Sequence, residues 1–218
     1  MSKELLDHIS QNLYTAVLSD SLDSLGHRNQ VMREYIRPVH SRYQVVAGYA
    51  HTIAFVDSHE ILPNPFDAEI EAVDAIQQDA VVVIATGNSI QNAPWGELLS
   101  TAAVARGSRG AIVEGFVRDV KMIEELGYPV FATGMKPLDS NGRGLLTSWG
   151  KPIVCGEVEV NPGDLIVADF DGVVVIPAAL IEATIERANT KVTGENNSRA
   201  ELQKGAYLRD VYAKYGVL

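Results

Sequence analysis

Cysteine is nearly missing from this chain: Cys155 is the single one among 218 residues. No intrachain disulfide can form, and a reducing compartment is the expectation. Positive charge is also scarce, with 18 Lys and Arg against 28 Asp and Glu and a formal net charge of −10. A nucleic-acid-binding face needs clustered cations, so that class is disfavoured. No uncharged run is long enough to span a bilayer, and Met1 to Asp7 lack the apolar core of a signal peptide, so the cytoplasm is the expected location and no membrane partner is expected. No Gly-x-Gly-x-x-Gly follows a strand and no Walker motif occurs, which leaves a dinucleotide or nucleoside triphosphate site unsupported. His59-Glu60 invites a zinc reading, but Pro63 stands where the second histidine of that pattern belongs.

What is present suits one soluble domain spanning residues 1–218, with 46% hydrophobic and 21% charged residues. Leu5, Leu6, Ile9 and Leu13 mark the apolar face of a first helix, and Thr15 to Leu25 a second, with Thr15 or Ser19 as caps. Val45 to Val56 reads as a strand bent at Gly48, and Ala68 to Gln77 as a helix. Ala80 to Ala85 is the clearest buried strand, followed by a polar loop from Thr86 to Pro94. Residues 135–152 read as a polar, partly mobile connection containing Arg143, a possible second anion contact. Ile153 to Pro177 reads as strands joined by turns at Asn161-Pro162-Gly163-Asp164 and Asp171-Gly172. Asp169 and Asp171 tempt as metal ligands, but their turn setting favours structural work. Helices run from Ala178 to about Thr193 and from Arg199 to Tyr215, separated at Gly194 to Ser198.

The stretch from Pro94 to Asp119 has the layout of a site. A helix starting after Gly96 would offer unpaired N–H groups from Gly96, Glu97, Leu98 and Leu99 to a carboxylate or phosphate. Gly110 to Val113 is an apolar run with the signature of a buried strand, and Arg118-Asp119 follows its carboxyl end, where ligands of open α/β sheets collect. Arg118 could grip an oxyanion with two prongs, and Asp119 could hold a hard divalent cation. Twenty residues separate Glu97 from Arg118, and a helix–turn–strand return would bring them to one corner. Each residue also has a plain alternative: Asp119 as the N-cap of a helix over Val120 to Leu126, Glu97 as a first-turn acid, Arg118 as a surface cation.

An acidic residue, twenty intervening residues and Arg-Asp, set in Gly-Glu-Leu-Leu and Gly-Phe-Val-Arg-Asp, resembles the class II 4-hydroxy-4-methyl-2-oxoglutarate aldolases and the related RraA-like regulators of ribonuclease activity. Gly127 to Gly134 and Val160 to Pro177 continue the resemblance, which covers most of the chain. Glu97 stands where many of these aldolases have Asp, and Glu114 where Asp is commoner. The resemblance implies an α/β fold, a swivelling β/β/α-type sandwich with a central mixed sheet, flanking helices and C-terminal helices. It implies a lyase dependent on Mg²⁺ or Mn²⁺ that releases pyruvate from 4-hydroxy-4-methyl-2-oxoglutarate or a related 4-hydroxy-2-oxo acid, and that also decarboxylates oxaloacetate. Glu97, Arg118 and Asp119 would be catalytic, Gly96 to Leu99 with Arg118 would bind substrate, and Asp119 would hold the metal. It further implies a homotrimer or homohexamer with the site at a subunit interface, where a neighbour's Glu195 approaches the metal's waters. A Schiff-base lyase is disfavoured because Lys121, Lys136 and Lys151 lie in helix or loop and not in an apolar strand. A non-catalytic ribonuclease-binding role is the alternative of a different class.

Overall fold

The computed structural model describes residues 3–41 and 45–217. Its strands are β1 (Arg37–Pro38), β2 (Val46–Asp57), β3 (Ala80–Ala85), β4 (Gly110–Val117), β5 (Val130–Met135), β6 (Gly144–Trp149), β7 (Ile153–Cys155), β8 (Val158–Val160), β9 (Leu165–Asp169) and β10 (Gly172–Ile176). The helices are α1 (Lys3–Asn12), α2 (Thr15–Ser24), α3 (Asp67–Asp74), α4 (Glu97–Ala105), α5 (Val120–Leu126), α6 (Ile181–Leu202) and α7 (Leu208–Tyr215). The sheet runs β1–β5–β4–β3–β2–β9–β10, with β6 also paired to β2. β2 to β5 are mutually parallel and the remaining pairings are antiparallel. This is the mixed α/β fold that the resemblance implies.

The period-2 alternation of each strand divides the core into layers. Val81 and Val83, Ile112, Phe131, Ile166 and Val175 face one cluster, which the β7–β8 hairpin covers through Ile153, Cys155, Val158 and Val160. Their neighbours Val82, Ile84, Ala111, Val113 and Val130 turn to the layer beneath α3, α4 and α5. On the β9–β10 side, Leu165, Val167, Val174 and Ile176 pack on α1, α2 and α6. β3 is buried at every position, the expected state of a parallel strand covered on both faces. Residues 31–38 draw the two sheet edges together: Val31 bridges to Val174 of β10, while Arg37 pairs with Ala132 of β5.

Four local expectations are corrected. Residues 135–152 are not a mobile connection throughout, because β6 forms within them and pairs with β2. The irregularity in β2 falls between Ala54 and Phe55, not at Gly48. Neither Thr15 nor Ser19 caps α2; Tyr14 holds the cap position, and the backbone N and Oγ1 of Thr15 both donate to Asp169. α6 runs unbroken through Gly194 to Ser198, so Glu195 lies within a helix. Tertiary packing overrides weak propensity there: Ser198 is buried, and a Cβ on Gly194 would come within 3.2 Å of the Val217 side chain. The break comes later, between Leu202 and Leu208.

Candidate functional site

β3, α4 and β4 form a parallel crossover, and its closing contacts build the corner. Trp95 bridges to Val117 in parallel register, and the Arg118 N–H donates to the Trp95 carbonyl at 3.0 Å. The Trp95 ring is buried, with Nε1 donating to Ser100 Oγ at 2.9 Å, and Ser100 Oγ donates in turn to the Gly96 carbonyl. The start of α4 is thereby fastened to the end of β4, so Gly96 to Leu99 and Arg118-Asp119 share one cavity of about 310 Å³. Gly96 is the N-cap of α4 in an extended conformation that any residue could adopt. Its glycine identity answers to space: a Cβ would lie 2.8 Å from Asp119 Oδ2 and 3.2 Å from Arg118 Cγ.

Asp119 holds the cap position before α5 but makes no side-chain cap bond, so the plain reading of that residue does not describe its carboxylate. Its backbone is left-handed, φ 59°, a conformation that non-glycine residues adopt sparingly. The carboxylate instead faces the α4 start, with Oδ2 3.5 Å from the Glu97 N and 3.7 Å from Arg118 Nε. Arg118 is flanked on its other side by Asp139, Nη1 to Oδ1 3.5 Å, and by the Leu138 carbonyl at 3.4 Å. None of these contacts is a short charge-assisted bond, so the donor fork remains available to an anion. Glu97 lines the same cavity and accepts a bond from Thr101 Oγ1 at 2.7 Å, one helical turn on.

Sequence reasoning missed the far side. Phe66, Glu69 and Ile70, from α3 and the residue before it, line the cavity with Asp139 and Ser140. Glu69 Oε1 accepts from Ser140 Oγ at 2.7 Å, and burial, reinforced by Asp139, raises the Glu69 carboxyl above its usual range against the opposing pull of that bond and of Arg118. The available signal was topological: α3 flanks α4 in a row of parallel crossovers.

Other candidates lie elsewhere. Arg143 lines a separate cleft with His59 and Lys136 and donates to the Asp139 carbonyl at 3.4 Å. Lys136 donates to the Ile90 carbonyl, and no lysine lines the Arg118 cavity among the described residues. Asp169 is 8% exposed and occupied by Thr15 and by the Asp171 N–H, which is structural work as expected. Glu195 accepts a bond from Tyr14 of its own chain. Burial raises the Glu195 carboxyl, and Arg199 opposes the rise. Among the described residues no three His, Cys, Asp or Glu side chains converge as a metal cage. A single carboxylate beside open space, such as Asp119 offers, is a donor set suited to a largely hydrated Mg²⁺ or Mn²⁺ and not to zinc.

Residues 15–175 match the family model RraA-like: Aldolase/RraA. The chain is 28% identical over 204 residues to Protein DlpA of Legionella pneumophila, covering 94% of this chain but 32% of DlpA. It is 31% identical over 193 residues to a protein of Halalkalibacterium halodurans named "Putative 4-hydroxy-4-methyl-2-oxoglutarate aldolase", covering 88% of this chain and 86% of that one. Among solved structures, Streptomyces coelicolor RraAS2, described as an unusual member of the RNase ES inhibitor RraA protein family, aligns with a TM-score of 0.83 at 26% identity, covering 92% of this chain and 98% of that one. With the fold and the family model in agreement, this chain belongs to the RraA-like family.

Proposed function

We propose that this protein is a divalent-metal-dependent carbon–carbon lyase that releases pyruvate from 4-hydroxy-4-methyl-2-oxoglutarate or a related 4-hydroxy-2-oxo acid, and that it decarboxylates oxaloacetate at the same site. The reading rests chiefly on Arg118 and Asp119, which share a cavity with a helix start and spend neither side chain on a short internal bond. The first-turn N–H groups of α4 receive the substrate's carboxylate. Asp119 would hold the metal ion, which when bound supplies a Lewis acid for the 2-oxo group. Breaking the C3–C4 bond sends its electron pair toward the 2-oxo oxygen, where the Arg118 guanidinium meets the growing negative charge. Glu97, held by Thr101, orients the water that takes the 4-hydroxyl proton. Protonation at C3 completes pyruvate, and loss of CO₂ from oxaloacetate leaves the same electron pair to be protonated.

In this proposal the protein works as a homotrimer or homohexamer with Glu195 contributing to a neighbouring copy's site. A second reading, a protein that binds and inhibits a ribonuclease, draws on the description of RraAS2 and on the net charge of −10, which suits a basic partner. Pyruvate release from 4-hydroxy-4-methyl-2-oxoglutarate and from oxaloacetate by metal-stripped protein, with and without Mg²⁺ or Mn²⁺, separates the two. Metal-dependent release supports the lyase. No release from either acid with either ion removes it for these substrates and leaves the binding role.

A further inference from the structure

β4 makes one irregular step before it reaches the corner. Val113 pairs with Ala132 of β5 and Phe116 with Gly134, so β4 advances three residues where β5 advances two, and the extra residue forms a bulge at Glu114-Gly115. The bulge sets where the Arg-Asp pair stands. Straightened, β4 would bring Phe116 opposite Met135, where Val117 now lies, and would carry Arg118 and Asp119 one residue, about 3.3 Å, out of register with Trp95 and the α4 start.

Three side chains hold this bulge. Thr86 Oγ1, just beyond β3, donates to the Glu114 carbonyl, and the Gly115 N–H donates to Thr133 Oγ1 of β5 at 3.0 Å. The third is Glu114 itself, 6% exposed, whose Oε1 accepts from the Gly156 N–H in the β7–β8 turn at 3.0 Å and from the Tyr35 hydroxyl at 3.4 Å. That turn is a fixed point: the Arg33 N–H donates to the Gly156 carbonyl at 3.0 Å, and a Cβ on Gly156 would lie 2.8 Å from Met32 Cβ. Glu114 Oε2 is buried with no hydrogen-bond partner among the described residues. A carboxyl so sparsely supplied contributes little to stability, and its distinctive effect is to tie the bulge to an immobile turn. We propose, building on the lyase reading, that Glu114 is a positioning residue: its carboxyl pins the bulge and thereby places Arg118 and Asp119 against the α4 start.

Glu114→Met removes the acceptor, and Glu114→Gln keeps one at the same reach. In a crystal structure of Glu114→Met, Asp119 Oδ2 should stand further from the Glu97 N by on the order of 1–3 Å. Mn²⁺ affinity, read by electron paramagnetic resonance, should weaken roughly 10-fold, and kcat for pyruvate release should fall roughly 10²-fold. Glu114→Gln should restore all three readings, the last two to within about twofold. Asp169→Ala, destabilised elsewhere in the fold, should leave the corner's geometry and Mn²⁺ affinity unchanged. Glu114→Ala takes the place of Glu114→Met if that variant does not fold. An unmoved corner with unchanged Mn²⁺ affinity in the folded variant, or failure of Glu114→Gln to rescue, overturns the inference. So does failure of both Glu114→Met and Glu114→Ala to fold, which would make Glu114 a folding residue. A displaced corner in Glu114→Met, with no pyruvate release by the unaltered protein, upholds the positioning role and sinks the lyase reading instead.

Discussion

Asp119 and Asp169 stand in similar places, each at or just past the carboxyl end of a sheet strand, and they have opposite fates. Asp169 is 8% exposed and accepts from the Thr15 N at 2.7 Å, Thr15 Oγ1 at 2.6 Å and the Asp171 N at 2.9 Å. Its lone pairs fasten the start of α2 to the β9–β10 hairpin. The Asp119 side chain is 46% exposed, and its nearest donors stand at 3.5 and 3.7 Å. A carboxylate that the fold has already supplied with donors is part of the fold; one held by a left-handed backbone beside a cavity is available to a ligand.

That contrast breaks most visibly in three substitutions. Asp119→Ala should lower metal-dependent pyruvate release by on the order of 10³-fold, the equivalent of several kcal/mol of transition-state stabilisation, with little change in the urea midpoint. Arg118→Lys keeps the charge but loses the planar fork, and a fall in kcat/KM of about 10²-fold is expected from steady-state kinetics. Asp169→Ala should do the reverse of Asp119→Ala: it strands the buried Thr15 donors, costing about 2–3 kcal/mol in chemical denaturation, while activity per folded molecule stays within about twofold.

Gly96→Ala sharpens the comparison, because its new Cβ would press on the Asp119 carboxylate while the extended backbone remains acceptable. Activity should fall by about tenfold with almost no change in stability, a split that steady-state kinetics and denaturation read together. The smallest effect concerns Glu69. Burial raises its carboxyl above the ordinary value, so its favourable contribution to folding is complete below the unfolded-state value and is lost as pH rises through the folded-state value. Glu69→Gln removes that loss, and its stability relative to the unaltered chain should rise with pH across that window, measured as Tm against pH.

The same contrast shows what was legible in the sequence. β3 and α5 have the bounds their patterns give, Ala80–Ala85 and Val120–Leu126, because uninterrupted apolar character and a closing glycine are local signals. The corner of Gly96, Glu97, Arg118 and Asp119 was legible because one helix–turn–strand return brings it together. Glu69, Ser140 and Asp139 were not, since nothing near them in sequence says that α3 and the segment before β6 meet over the α4 start. The unbroken α6 was misread for a related reason: Gly194 looks like a stop until the distant Val217 side chain is seen to fill its place. Nor could the sequence tell that the Asp119 carboxylate is left out of the cap: the residue stands before α5 with a left-handed backbone, φ 59°, and its side chain makes no cap bond.

The most direct test is Mn²⁺ binding, followed by electron paramagnetic resonance on the metal-stripped chain and on Asp119→Ala and Asp169→Asn. The account predicts one Mn²⁺ site per chain, lost in Asp119→Ala and kept in Asp169→Asn. Undiminished Mn²⁺ binding by Asp119→Ala, or its loss in folded Asp169→Asn, would contradict it.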